Sequence, residues 1–147
     1  MGDILKMQFE VIRERIVQKL ADLPFEVVDQ QPEGFNNNIH WNLGHLLWIT
    51  EKFLFKENGQ LPANYEEYFG AGTKPADWQG NVPTMDELFE SSKEQLNRIW
   101  EIPTERFLEK LPEPIIGRHT TGELAGFLVF HEAYHFGQMM AMKRIVT

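Results

Sequence analysis

The stretch TGELAGFLVFHEAYHFGQMMAMKRIV (residues 121–146) carries the helical pattern that decides the fold. Its apolar residues recur at the three- and four-residue spacing of one helix face, and they are Leu124, Phe127, Leu128, Met139, Met142, Ile145 and Val146. Thr120 and Glu123 stand at the start with the spacing of a capping box, which predicts a helix from there to about Ile145. A helix with one apolar face must bury that face against other elements.

Three further stretches have helical spacing, over residues 3–21, 39–57 and 84–100. Asn37 or Asn38 can cap the second of these helices, and Asn58 with Gly59 closes it. The second helix is apolar nearly all round, which indicates burial on several sides. Thr84 and Glu87 form another capping box that opens the third helix. No alternating run is long enough to predict a strand, and a short helical turn is expected over residues 104–111.

The connection between the second and third helices is long and aromatic. Over residues 60–83 it contains Tyr65, Tyr68, Phe69 and Trp78 among several glycines and prolines. A segment with so many aromatic residues is too apolar to be disordered, so it is expected to pack over a face or an end of the helices. The sequence therefore predicts an all-α, four-helix bundle that forms a single domain over residues 1–147.

Composition excludes several classes of function. Fourteen basic and twenty-two acidic residues give a net charge of -8 without a basic patch, so no nucleic-acid partner is expected. No apolar stretch reaches the roughly 18 residues of a membrane span, and the charged N-terminal segment lacks the pattern of a leader, so we expect a cytoplasmic protein without a membrane partner. Because the chain has no cysteine, nitrogen and oxygen must bind any metal, and any reactive thiol must come from a small molecule.

His131 and His135 lie inside the apolar stripe of the last helix, together with Gln138. Two histidines four residues apart place their rings one turn apart on the same face, where they can share a metal ion or be core residues with hydrogen-bonded neighbours. A stable site for one ion needs a third protein ligand, which another helix must supply. His45 is favoured for that role because it lies well inside the second helix. His40 and His119 lie near helix starts and remain the alternatives, as ligands or as walls of a pocket.

The string HEAYH (residues 131–135) also matches the H-E-x-x-H helix of zinc proteases. Those enzymes take a third ligand downstream, but no His, Asp or Glu follows His135 in this chain. The extended form of the motif fails too, because Gln138 and Ala141 stand where glycine and histidine are expected. We therefore disfavour proteolysis and expect Glu132 beside the metal site or on the surface.

Two segments give the chain its resemblance to a known family. IHWNLGHLLW (residues 39–48) and HEAYHFGQ (residues 131–138) resemble the second-helix and last-helix segments of the DinB-like superfamily, which includes the bacillithiol S-transferases and the mycothiol-dependent maleylpyruvate isomerases. The likeness covers nearly the whole chain. It implies a four-helix bundle, often dimeric, with one divalent ion on His45, His131 and His135. The metals implied are nickel or zinc, with iron, cobalt and manganese as alternatives.

The resemblance also implies a chemistry for such a site. Three neutral imidazoles leave the charge of the ion uncompensated, so a metal-bound thiolate or hydroxide would form at neutral pH. The expected function is that of a thiol S-transferase, with a low-molecular-weight thiol as cosubstrate, or of a hydrolase, acting on a small-molecule substrate. A non-enzymatic bundle that binds metal or a small ligand is the alternative.

Polar and aromatic residues near the histidines are candidates for the substrate pocket. Gln138, His40 and His119 are the possible polar groups, and the aromatic candidates are Trp41, Trp48, Trp78 and Tyr134. We also expect a homodimer, because the second helix turns Trp41, Trp48 and Phe55 away from its main apolar face. Covering of that surface by the aromatic connection is the rival explanation.

Overall fold

Helices form where the apolar spacing predicts them, and four of them are long. The computed structural model describes residues 1–147, and its α-helices are α1 (Gly2–Leu20), α2 (Phe25–Val28), α3 (Ile39–Thr50), α4 (Asn64–Phe69), α5 (Met85–Glu101) and α6 (Thr121–Val146). Helix α6 packs against α1 and α3, and α5 packs against the same two helices on another side. The prediction of an all-α four-helix bundle is confirmed.

The helix starts follow the capping signals in the sequence. The side chain of Thr84 accepts a hydrogen bond from the Glu87 amide while the Glu87 carboxylate accepts one from the Thr84 amide, and Thr120 and Glu123 form the same box before α6. Asn38 is the cap of α3, because its side chain accepts a hydrogen bond from the backbone amide of Trp41. These bonds satisfy amides that a helix start otherwise leaves unpaired.

The second predicted helix is regular only in its first part. Nearly every residue of α3 is buried, as its all-round apolar pattern predicts, and the α-helix ends at Thr50. The chain continues as a π-helical turn over Glu51–Phe55 and a 3-10 turn over Lys56–Asn58. The π turn makes room for one extra residue in the helical ladder. It lies where the carboxylate of Glu51 is buried, in contact with Arg98 of α5.

The aromatic connection packs along one side of α3, which confirms that it is ordered. Phe69, the last residue of α4, lies against Gly44 of α3. Farther along the connection, the hydroxyl oxygen of Thr73 accepts a hydrogen bond of 2.9 Å from the indole nitrogen of Trp41. Trp41 is therefore buried under the connection and is not available as an exposed surface of α3.

A small β-hairpin corrects the expectation that the chain has no strands. Strand β1 (Lys110–Ile115) pairs antiparallel with β2 (Arg118–Thr120), and the helical turn expected over residues 104–111 is only a 3-10 turn over Thr104–Leu108. Ile116 and Gly117 connect the strands with positive φ angles of 51° and 73°, as in a type I′ turn. Isoleucine is rare at the first of these positions, so the sequence gives no hairpin signal.

The hydrophobic core consists of two clusters that follow one another along the bundle. Leu88 of α5 and Met139 of α6 belong to the first cluster, whereas Ile99 and Leu128 of the same helices belong to the second. Buried polar residues lie between the clusters along these helices, and those on α6 are Glu132 and His135. None of the helices combines the length and the apolar content that crossing a membrane requires.

Replacing Gly44 tests how tightly α4 packs on α3. We expect Gly44→Ala to lower the free energy of unfolding by about 1–3 kcal/mol, because the new methyl group overlaps the fully buried ring of Phe69. The control is Gly137→Ala in α6, where a Cβ atom meets nothing within 4 Å and alanine should stabilise the helix by about 0.5–1 kcal/mol. Urea unfolding followed by circular dichroism measures both. Equal stabilisation by the two substitutions would show that Phe69 moves aside freely.

Candidate metal centre

Helices α3 and α6 bring three histidines together. His45 comes from α3, and His131 and His135 come from successive turns of α6. One ring nitrogen from each can be chosen so that all three atoms lie within 4.8 Å of one another. The ring centroids are 5.2 Å apart for His45 and His131, 4.8 Å for His45 and His135, and 4.5 Å for the pair on α6. The three histidines favoured from the sequence therefore form one cluster.

Two of the three rings are oriented by hydrogen bonds through their outer nitrogens. The Nδ1 atom of His45 lies 2.7 Å from the carbonyl oxygen of Phe69, which can only accept, so this nitrogen carries the proton. The Nδ1 atom of His135 lies 2.7 Å from the side-chain oxygen of Asn42, whose amide nitrogen donates to Asn37 and Asn38. The Nε2 atoms of both histidines therefore carry the lone pairs that a metal ion needs.

His131 differs from the other two because its Nδ1 atom is buried and has no hydrogen-bond partner. No hydrogen bond within the chain therefore fixes which nitrogen of the His131 ring carries the proton. A divalent metal ion fits the donor set, since three imidazole nitrogens suit zinc, nickel and their neighbours. His131 is also only partly buried, whereas His45 and His135 are 6% and 8% exposed. His131 is therefore the most solvent-accessible of the three histidines.

Burial keeps the three imidazoles neutral. Desolvation lowers the pKa of His45 to about 4; the hydrogen bond to Phe69 opposes this shift and the charge of His131 adds to it. Desolvation, with smaller contributions from His131 and His45, lowers the pKa of His135 to about 3. Desolvation also lowers the pKa of His131. At neutral pH all three rings therefore have the unprotonated nitrogen that metal binding requires.

Aromatic and polar side chains surround the cluster. The indole of Trp41 stacks on the ring of His45, with centroids 4.4 Å apart and planes within 12°. Tyr134 contacts His135 edge-on, with ring centroids 5.2 Å apart, and Tyr134 is 53% exposed. The hydroxyl of Tyr134 accepts a hydrogen bond of 3.0 Å from the Gln138 amide, which leaves its own proton free for another group. Of the candidate pocket residues, these three therefore lie at or next to the cluster.

The other candidate residues have different surroundings. Both ring nitrogens of His40 contact oxygens elsewhere, at 2.7 Å from Asp29 and 2.6 Å from the Pro83 carbonyl. His40 and Trp78 line a cavity of about 1370 Å³, whose lining includes none of the three clustered histidines. His119 is exposed on β2, and Trp48 is partly buried and packs against both core clusters.

Glu132 lies inside the bundle and not on its surface. Its carboxylate is completely buried, and it accepts hydrogen bonds of 2.8 Å from Nε and Nη2 of Arg13 and of 2.7 Å from the Thr50 hydroxyl. A carboxylate with both oxygens so engaged is not placed to act as a general base toward a substrate. Sequence reasoning missed Arg13, although its position on the same face of α1 as Phe9 and Ile16 indicated burial.

Comparison with known proteins agrees with the geometry. The family model of the DinB superfamily matches residues 8–139, which include both histidine segments and most of the chain. No curated protein sequence matches the chain. Because the family model spans nearly the whole bundle, the chain belongs to the DinB superfamily.

Proposed function

We propose that the chain binds one divalent metal ion through His45, His131 and His135 and acts on a small molecule as a metal-dependent thiol S-transferase or hydrolase. The observation that supports the site most strongly is the convergence of three neutral imidazoles, two of them oriented by carbonyl acceptors. Nickel or zinc is the expected metal, and iron, cobalt or manganese would also suit nitrogen donors.

The chemistry follows from the donor set and the residues around it. A divalent ion lowers the pKa of a thiol or a water molecule that it binds and so supplies a nucleophile at neutral pH. Phe69 and Asn42 hold two of the rings in place, and Trp41 supports the ring of His45 from the side. The free proton of the Tyr134 hydroxyl can be donated to an electronegative atom of the substrate. Since the chain has no cysteine, a low-molecular-weight thiol is the cosubstrate in the transferase reaction.

A non-enzymatic bundle that binds metal or a small ligand is the alternative function. Partial exposure of His131 and Tyr134 favours an enzyme, because a substrate needs access to the metal centre. A site that served only to retain an ion would not need this opening. The polar groups at the opening, Tyr134 and Gln138, favour the enzyme for the same reason.

The metal site can be tested by elemental analysis of histidine variants. Protein purified without chelator should carry close to one divalent ion per chain, and His131→Ala or His135→Ala should abolish this. His45→Ala should keep its helical content and weaken binding by orders of magnitude, because the apolar core remains intact. His40→Ala is the control and should keep its metal. Retention of metal by both α6 variants would overturn the site, and a reversed result for His45 and His40 would show that the α3 ligand is wrong.

Activity can be tested with two reactions on the metal-loaded protein. One combines a low-molecular-weight thiol with an aryl halide, and the other uses an aryl ester without thiol. We expect one of these rates to depend on metal, and Tyr134→Phe to lower kcat/KM about tenfold without metal loss, as expected for one hydrogen bond. Tyr65→Phe is the matched control, because the Tyr65 hydroxyl contacts Ser91 away from the histidines. Rates unaffected by metal removal in both reactions would favour the non-enzymatic alternative.

The homodimer is proposed on a different surface from the one that the sequence suggested. Trp41 does not lie on an exposed surface of α3 where a second chain could bind, because the aromatic connection covers it. Exposed apolar side chains instead follow the outer faces of the neighbouring helices α1 and α6, and they are Ile4, Met7, Val11 and Phe130. Apolar residues at this spacing on adjacent helices are typical of an association surface.

Light scattering at micromolar concentration tests the dimer. The wild-type protein should have twice the chain mass of 17.2 kDa, and Met7→Glu combined with Phe130→Glu should give a monomer, because each chain then places charges in an apolar interface. Phe25→Glu is the control, since Phe25 is more exposed than either of these residues but lies on α2. A monomeric wild-type protein would exclude the dimer, and dissociation by the control alone would place the interface elsewhere.

A further inference from the structure

A layer of buried polar side chains crosses the bundle and includes residues from all four long helices. Arg13 of α1 is at its centre, where its guanidinium donates to Glu132 of α6 and to Ser92 and Gln95 of α5. Thr50 of α3 also donates to Glu132. A second ion pair extends the layer, because Gln95 also donates to Glu51, whose carboxylate receives two hydrogen bonds from Arg98.

Glu132 is fixed within this layer. Its side chain is 0% exposed and that of Arg13 is 3% exposed, so water does not compete for their contacts. Two nitrogens of one guanidinium hold its two oxygens in a bidentate arrangement, and the Thr50 hydroxyl adds a third donor. Bidentate pairing restricts direction as well as distance. The contacts of Glu132 therefore fix the rotation of α6 about its own axis.

Glu132 lies between two of the clustered histidines in the sequence of α6. Glu132 follows His131 directly and precedes His135 by three residues, which places it about 100° and about 60° from them around a helix of 3.6 residues per turn. A rotation of α6 by about 20° would move a side-chain tip at a radius of about 6 Å by roughly 2 Å. Metal–nitrogen bonds are about 2.0–2.1 Å long, so such a rotation would take both imidazoles out of reach of an ion shared with His45.

We propose that Arg13 and Glu132 are positioning residues for the metal centre, which fix the rotation of α6 so that His131 and His135 both face His45. The inference rests on the proposed metal site. Apolar contacts alone define this rotation less sharply, since core side chains can repack when a helix turns. A buried ion pair is in addition weak as a source of stability, because desolvation offsets most of its attraction. Its effect should therefore be seen in metal affinity more than in unfolding.

The test replaces each buried ion pair by apolar residues of similar size and measures Zn²⁺ affinity by competition with a chromophoric chelator. Arg13→Met combined with Glu132→Leu should bind Zn²⁺ about 10–100 times more weakly than the wild-type protein, as expected when groups that orient metal ligands are lost. Glu51→Leu combined with Arg98→Met is the matched control, because it removes the pair that does not lie beside the histidines, and its affinity should stay within about threefold. The absorption spectrum of bound Co²⁺ should change only in the first double variant.

A single substitution keeps the test informative if the first double variant does not fold. Glu132→Gln retains the shape of the side chain and an acceptor for Thr50, and it should weaken Zn²⁺ binding in the same direction. Thermal unfolding without metal checks that each variant is folded. Unchanged affinity in the Arg13 and Glu132 variants, or an equal loss in the control, would overturn the positioning role. Absence of Zn²⁺ binding by the wild-type protein would instead overturn the proposed metal site, and this inference with it.

Discussion

A polar side chain that faces the inside of a helical bundle must find a partner there, because an unpaired buried group costs about 1–3 kcal/mol. Helix α6 turns Glu132 and His135 inward, and each is matched by a residue of another helix, Arg13 and Asn42. These bonds constrain the bundle more narrowly than apolar contacts do. A hydrogen bond requires its two atoms to lie about 3 Å apart, whereas an apolar contact survives repacking. The relative rotation of the helices is thus tied to a few polar pairs.

Much of the fold could be predicted because its signals are local. Capping boxes and apolar spacing act within a few residues, so the starts of α5 and α6 and the extents of α1, α5 and α6 follow from the sequence. The elements that were missed depend on other parts of the chain. The π-helical turn after Thr50 lies where Glu51 meets Arg98, and the hairpin turn at Ile116 has a residue type that does not favour its conformation. Neither is encoded by a local pattern.

The candidate site was only partly predictable, for a related reason. Spacing of four residues places His131 and His135 on one face of a helix, but no rule of spacing chooses between His45 and His40. The structure separates those two by their partners. Both nitrogens of His40 contact oxygens of other segments, whereas in His45 only Nδ1 has a hydrogen-bond partner. Partners so distant in sequence cannot be read from the residues around each histidine.

The role of the glutamate in an H-E-x-x-H segment depends on residues outside the motif. Two histidines four residues apart share a face in any helix, but the glutamate between them lies about 60° to 100° away, so its role depends on what the neighbouring helices present to it. In a helix with that side open, the carboxylate could reach a bound water and act as a base. Here Arg13 and Thr50 meet Glu132 inside the bundle and use both of its oxygens. Arg13, 119 residues away, therefore decides that this glutamate orients the helix instead of reacting.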